Sequence, residues 1–264
     1  MTFIQKLARL AGNLLRISLT NPKRLRYVLG MTLAATDDVA DPFIDLVRLP
    51  PVNVEDLLPA AGSTLRGSLI LFSQTNASIS VLEAVALTLL MKEAGAARVF
   101  EFGTYKGVST TQLALNLPAE GRLYTLDLPE GDPRSRFPIS FAKDAVIAAE
   151  GGKGSLVPDD LLPRIQFLKQ DSAALDEQPY AGTIDLVFVD GAHNLEYVRN
   201  DSEKGWRMLR PGGIIVWHDC CIRDPDVVRY LLGCPFSPSR VVGTSLAFAV
   251  KPAVEQVSRP SAGQ

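Results

Sequence analysis

The chain has two histidines, and each lies by an aspartate where an apolar run stops. In "VFVDGAH", Val187–His193, the run ends on Asp190 and His193 follows three residues later. In "IVWHDC", Ile215–Cys220, it ends on the pair His218-Asp219. An unperturbed imidazole titrates at about pH 6.5, so one placed near a carboxylate is suited to moving a proton at neutral pH.

Bringing these pairs together requires a framework that gathers strand ends along one edge. From Ile79 onward the pattern supplies it. "ISVLEAVALTLLMKEAGA" predicts a helix capped at Gly95, and short apolar runs then alternate with helical patterns. The strands are "ARVFEFG", "RLYTLDL", "RIQFLKQD", "IDLVFVD" and "IIVWHD". Between them lie the helices "STTQLALNL", starting near Ser109, and "LEYVRNDSEKGWRMLR", stopped by Pro211-Gly212-Gly213. Runs that are apolar almost throughout suit parallel strands buried on both faces. Their alternation with helices implies right-handed crossovers and a doubly wound α/β sheet, in which ligands lie beyond the carboxyl ends of the strands. Both histidine–aspartate pairs fall at such ends. In "LEYVRNDSEKGWRMLR", Leu195, Val198 and Leu209 form a packing stripe, and Arg199, Asp201, Glu203 and Lys204 are expected mainly on the solvated face.

At 264 residues the chain suits one large domain with an extension. A net charge of −2 gives no general attraction to nucleic acid. Cys220, Cys221 and Cys234 are odd in number and lack Cys-x-x-Cys spacing, which argues against a disulfide framework and a structural zinc site. Cys220 and Cys221 read as strand-end packing, and a cytoplasmic setting is expected. Before Asp37 the chain carries Lys6, Arg9, Arg16, Lys23, Arg24 and Arg26 and no acid, with Phe3, Leu7, Leu10, Leu14 and Leu15 at helical spacing. This amphipathic helix docks on the domain or on a second copy, which would make a homodimer; the alternative is peripheral membrane contact through residues 1–30. The expected organisation is a helical extension and linker (1–64), a catalytic domain (65–255) and a disordered tail (256–264). Between Asp127 and Ile165 lies a segment rich in Pro, Gly and charge that is too long for a simple crossover. It reads as a lid or substrate loop, or as a decorative loop, with one helix over Ala142–Glu150.

In "VFEFGTYKGVSTTQLA" a strand ends at Glu101, a turn runs through Gly103 and Gly107, and a helix follows. The spacing is not the Gly-x-Gly-x-x-Gly of a dinucleotide site, and an acid at the strand end suits a cationic group better than a diphosphate. The reading is a nucleoside that carries an amino acid. Asp127, ending the next strand, can accept from both hydroxyls of a ribose. Asp171 can accept from an adenine amino group, with the Ser172 backbone against the ring. Each aspartate taken alone is more often a turn former or helix cap; their order on successive strand ends carries the signal.

With these motifs, from about Ile79 to Lys251, the sequence resembles the class I S-adenosylmethionine-dependent methyltransferases. "EFGTYKGVST" and "DLVFVDGAHNLEYVRNDSEKGWRMLRPGGIIVWHD" look most like the bacterial small-molecule O-methyltransferases, relatives of the catechol and macrocin or sugar enzymes. The resemblance implies a Rossmann-like, seven-stranded, mostly parallel sheet, its last strand being the antiparallel "SLAFAVK". It implies S-adenosylmethionine as cofactor, held by Glu101, Gly103, Thr104, Gly107, Asp127, Asp171, Ser172 and Asp190. Its acceptor would be a hydroxyl of a sugar, polyketide or phenol. It also implies Asp190 and Asp219 as ligands of a divalent cation; where those relatives offer a third acid or amide, this chain departs from them with His218 as the candidate ligand. His193, three residues after Asp190, can reach the same space and is read with it as catalytic. Hard oxygen ligands suit Mg2+, whereas a histidine in the set favours Mn2+, iron, zinc or no metal, so metal dependence stays open. Three other readings remain: a non-catalytic or membrane-associated scaffold that binds S-adenosylmethionine, a nucleic-acid or protein methyltransferase, and a nicotinamide dehydrogenase. The second is disfavoured because strand four runs into "DGAHN" rather than an Asn/Asp-Pro-Pro-aromatic motif.

Overall fold

Five of the apolar runs form adjacent parallel strands in the computed structural model, which describes residues 48–57, 64–72, 78–130, 135–139 and 142–253. In chain order the strands are β1 (Pro51–Val52), β2 (Arg98–Phe102), β3 (Arg122–Asp127), β4 (Ile165–Lys169), β5 (Ile184–Val189), β6 (Leu209–Trp217), β7 (Ser239–Val241) and β8 (Ala247–Val250). The helices are α1 (Val81–Glu93), α2 (Val108–Leu115), α3 (Ala142–Ala149), α4 (Leu195–Met208) and α5 (Pro225–Gly233). The sheet order is β1-β7-β8-β6-β5-β2-β3-β4, with β8 antiparallel to its neighbours β6 and β7 and the remaining pairs parallel. The chain divides into Met1–Asp45 and Leu46–Gln264, and every described residue belongs to the second unit. The expectations for residues 1–30 and for the tail 256–264 lie outside the described residues. Among the described residues no helix is long and apolar enough to cross a membrane.

The sheet has eight strands rather than seven. The extra one is β1, whose two residues pair with Arg240 and Val241 from within the stretch read as linker. Two residues, one of them proline, carry no periodicity, and the sheet edge is where a residue with no N–H to donate fits without loss of a ladder bond. A second difference lies at the α4–β6 junction. The helix ends at Met208 and the strand begins at Leu209, so Pro211-Gly212-Gly213 lies inside the strand. Gly212 donates to the Lys251 carbonyl and Lys251 donates to the Gly213 carbonyl, so pairing with the chain after β8 extends the strand through residues that alone signal a stop.

Alternation along the strands divides the core between two faces. Val99, Leu186, Phe188 and Val216 pack with α1 and α2 through Leu87, Leu90, Met91 and Leu113. Phe100, Phe102, Val187, Ile215 and Trp217 pack on the other side with Val198, Met208, Val227 and Leu231 of α4 and α5. Ser80 and Glu83 form a capping box at the start of α1. At the amino ends of the strands Asp185 accepts from the Ala97 and Arg98 amides and pairs with Arg210, a purely structural staple.

The carboxyl ends are different. The turn after β2 passes through Gly103 at φ +94°, where an added Cβ would fall 2.0 Å from the Asp190 carbonyl oxygen. Neither the backbone angle nor the space admits a side chain. Gly103→Ala is therefore expected to cost roughly 2–4 kcal/mol of stability, combining backbone strain with overpacking, in urea denaturation. A midpoint equal to that of the parent would contradict this account of the turn.

Candidate active site

Strands β5 and β6 are neighbours in register, with Val189 opposite Trp217. Asp190 follows the first and His218-Asp219 the second, so the two histidine–aspartate pairs meet at one edge. Asp219 takes the left-handed conformation, φ +53°, which aims its side chain back over the strand ends. Here lies a cavity of about 760 Å³, within the range of small-molecule sites.

The pairs form one continuous chain of acids and imidazoles. Asp219 Oδ2 lies 2.5 Å from His193 Nε2 and 3.1 Å from His218 Nδ1. The other ring nitrogen of His193, Nδ1, lies 2.7 Å from Asp144 Oδ1, and Asp144 Oδ2 accepts from the His193 amide at 2.8 Å. His218 Nδ1 also lies 3.0 Å from Asp190 Oδ1, and its Nε2 makes an ion-pair contact with Glu83 Oε2 at 3.5 Å, outside hydrogen-bond geometry. Asp219, Asp144, Glu83 and His193 are all buried.

Burial alone would lower the His193 pKa, but hydrogen bonds and charge from Asp144 and Asp219 raise it to about 10. The ordinary imidazole expected from sequence is thus a cation at neutral pH in this arrangement. His218 is likewise held well above its usual value, against burial, chiefly by the charge of Asp190 and hydrogen bonds to its carboxylate neighbours. Asp219 and Glu83 move the other way: burial would raise both, and the imidazoles beside them hold both well below the usual carboxylate range.

The residues read as cofactor ligands stand on the adjoining strand ends. Gly103, Thr104, Gly107, Asp127, Asp171 and Ser172 line the cavity, as does Asp190. Glu101 does not reach it. Fully buried beneath the turn, Glu101 accepts from Thr110 and Thr125 at 2.6 Å each, and burial raises its pKa to about 7 against those bonds. Its Oε1 has no hydrogen-bond partner. Asp127 accepts the Thr104, Tyr105 and Leu128 amides and pairs with the buried Lys153 ammonium at 3.1 Å. Asp171 caps the turn at Ser172, accepting from Ala173, and also takes the Arg136 amide and the Tyr197 hydroxyl. Both carboxylates therefore shape loops as well as facing the cavity.

Asp190, His193 and Asp219 offer donor atoms that all lie within 4.8 Å of one another, a set able to hold a cation. The sequence reading put His218 in that set; the geometry groups His193 with the aspartates instead, and His218 is directed at their oxygens. One imidazole and two carboxylates fit a divalent transition ion better than Mg2+. Without an ion, the two imidazoles supply the positive charge.

Sequence reasoning missed four contributors. Asp144 and Lys153 come from the 127–165 segment, and Glu83 from the capping box of α1. Asp201, expected on a solvated face, is 2 % exposed, lines the cavity, and is raised by burial to about pKa 7. Lys204 was misread in the same way. It is 8 % exposed and donates to the carbonyls of Ser172, Ala173 and Leu175. Three carbonyls in a fixed fan satisfy its three donors, which lets a lysine lie inward. Arg199 and Glu203 are exposed as expected, and Cys220 is core packing, its thiol pushed up to about 12 by burial.

The raised His193 pKa has a stability consequence. A group whose folded pKa is raised from 6.5 to about 10 contributes stability fully present below pH ~6.5 and lost as pH climbs toward about 10. Chelator-treated protein is expected to lose urea resistance across that window, and His193→Gln to flatten the loss. An equal decline in the variant would contradict the charge assignment.

Residues 100–220 match a protein-family profile described as "Methyltransferase domain". Catechol O-methyltransferase B of Danio rerio is 30% identical over 151 residues, 55% of this chain and 51% of that protein. Tricin synthase 1 of Oryza sativa subsp. japonica is 33% identical over 141 residues, 51% of this chain and 50% of that protein. The match thus spans about half the length of these curated relatives. Among solved structures, the O-methyltransferase TomG from Streptomyces achromogenes, in complex with SAM, aligns with 22% identity and TM-score 0.45, covering 67% of this chain and 82% of that one. Over residues 100–220, then, the strand ends that carry the site are similar to a methyltransferase domain.

Proposed function

We propose that the chain is an S-adenosylmethionine-dependent O-methyltransferase acting on a hydroxyl of a small molecule, with phenolic acceptors the favoured class. The observation that carries this reading is the grouping of Asp190, His193 and Asp219 beside a glycine turn in one cavity. The phenolic preference rests on the curated relatives, named as catechol and tricin enzymes.

When bound, S-adenosylmethionine supplies a sulfonium methyl group. On receiving that methyl group the acceptor hydroxyl would have to give up its proton. Gly103 and Gly107 let the backbone approach the amino-acid end of the cofactor, and Asp127 offers its carboxylate to the ribose. The His193–Asp219 pair holds a proton at Nε2 in the resting state and receives the acceptor's proton only after that one departs. A divalent ion held by Asp190, His193 and Asp219 would lower the pKa of the acceptor hydroxyl. The remaining contribution is geometric, since an in-line displacement depends mainly on near-attack placement.

Titration calorimetry of S-adenosylhomocysteine into chelator-treated protein tests the reading. Saturable binding, weakened at least about tenfold by Asp127→Ala, is expected from losing a charge-assisted contact; no heat of binding would sink it. With a catechol acceptor, methyl transfer by the metal-free protein should rise with pH toward about 10, the His193 value. Added Mn2+ should shift that rise to lower pH. A rate flat from neutral to alkaline pH would remove His193 from the proton path.

A further inference from the structure

We infer that Asp144, carried by the inserted helix α3, is a positioning residue that holds the hydrogen of His193 on Nδ1 and so makes Nε2 the working atom of the ring. This rests on the reaction proposed above. One carboxylate grips His193 at two points: the amide N–H at 2.8 Å and Nδ1 at 2.7 Å. With one oxygen taken up by the amide N–H, a hydrogen on Nδ1 satisfies the other. The opposite nitrogen, Nε2, faces Asp219 at 2.5 Å, at the edge that Asp190 and His218 share. Rotating the ring by half a turn would set Cδ2 against Asp144 and Cε1 against Asp219, so both ring contacts hold only in the observed orientation. The ring and its backbone are thus registered to a single side chain. Once the Nε2 hydrogen departs, the one on Nδ1 stays with Asp144, and Nε2 becomes the proton acceptor or metal ligand.

Asp144 is itself placed by the insertion. Lys153 joins the end of α3 to the sheet, donating to the Ile147 carbonyl at 3.1 Å and pairing with Asp127 at 3.1 Å. Lys143, the residue before Asp144, lies 3.7 Å from Asp219. The segment therefore anchors beside β3 at one end of the cavity and beside β6 at the other. Asp144 is 6 % exposed, and a carboxylate so buried is stable only with partners of this kind. The insertion thus completes the site by orienting His193, in addition to covering it.

With two histidines in the chain, ring-nitrogen spectra are simple. Protein labelled with 15N in its imidazoles, assigned through His193→Gln, is expected to show a downfield Nδ1 proton on His193 that exchanges slowly with solvent. Asp144→Ala should abolish this resonance and leave the S-adenosylhomocysteine Kd within about threefold of the parent. With a catechol acceptor, kcat should fall about 10- to 100-fold and KM by much less, the range for loss of a carboxylate behind a functional histidine. If Asp144→Ala does not fold, Asp144→Asn serves, since its amide oxygen accepts from only one of the two N–H groups and the resonance must move or vanish. A His193 Nδ1 without a proton in the parent, or a resonance unmoved in both variants, would overturn the inference. Failure of the parent to bind S-adenosylhomocysteine would instead overturn the methyl-transfer reading and leave the ring spectrum to decide the role of Asp144.

Discussion

Asp219 sits buried between two imidazoles, in a backbone conformation that non-glycine residues seldom adopt. An isolated carboxylate there would lose several kcal/mol of hydration, so the fold must bring compensating charge to it. His193 arrives from the end of β5 and His218 from the end of β6. Each needs its own acid, and Asp144, Asp190 and Glu83 supply them from three separate parts of the chain. The cluster therefore ties together the β5 and β6 ends, the cap of α1 and the inserted helix α3. Removing one member leaves an unpaired charge among the rest.

The sheet makes this arrangement affordable by separating stability from chemistry. Its interior is apolar on both faces, and at its amino ends Asp185 and Arg210 act as a staple. Polar groups that are strained or charged collect at the carboxyl ends. Gly103, Tyr105, Gly107 and Asp219 all take positive φ there. The segment after β3 returns to the same edge, where Gly154 donates to the Tyr105 carbonyl and Leu156 to that of Lys106. It is bonded to the glycine turn and to the imidazole cluster, so it forms part of the site wall.

Much of this was legible before any coordinates. Apolar runs of strand length, punctuated by helices, identify a doubly wound sheet, and the rule that ligands gather at carboxyl ends places both histidine–aspartate pairs at the site. What the pattern could not reveal arises from long-range pairing. β1 has two residues and no period. Pro211-Gly212-Gly213 signals a stop and is overruled by pairing with the chain around Lys251. Lys204 looks solvated until three carbonyls close around its ammonium, and Asp201 until the loop at Gly191 covers it. Asp144 could not be singled out in "FAKDAVIAA", because its role depends on a contact with a residue 49 positions away. The pKa of His193 was misjudged for the same reason, since each of its two acids comes from a different element.

The measurement that reaches furthest is a crystal structure with S-adenosylhomocysteine bound. The account predicts the nucleoside along the ends of β3 and β4 by Asp127 and Ser172, with the sulfur directed at the space before His193 Nε2 and Asp219. The nucleoside bound elsewhere, or the sulfur turned away from that cluster, would contradict it and leave the acid–imidazole chain as a device of stability alone.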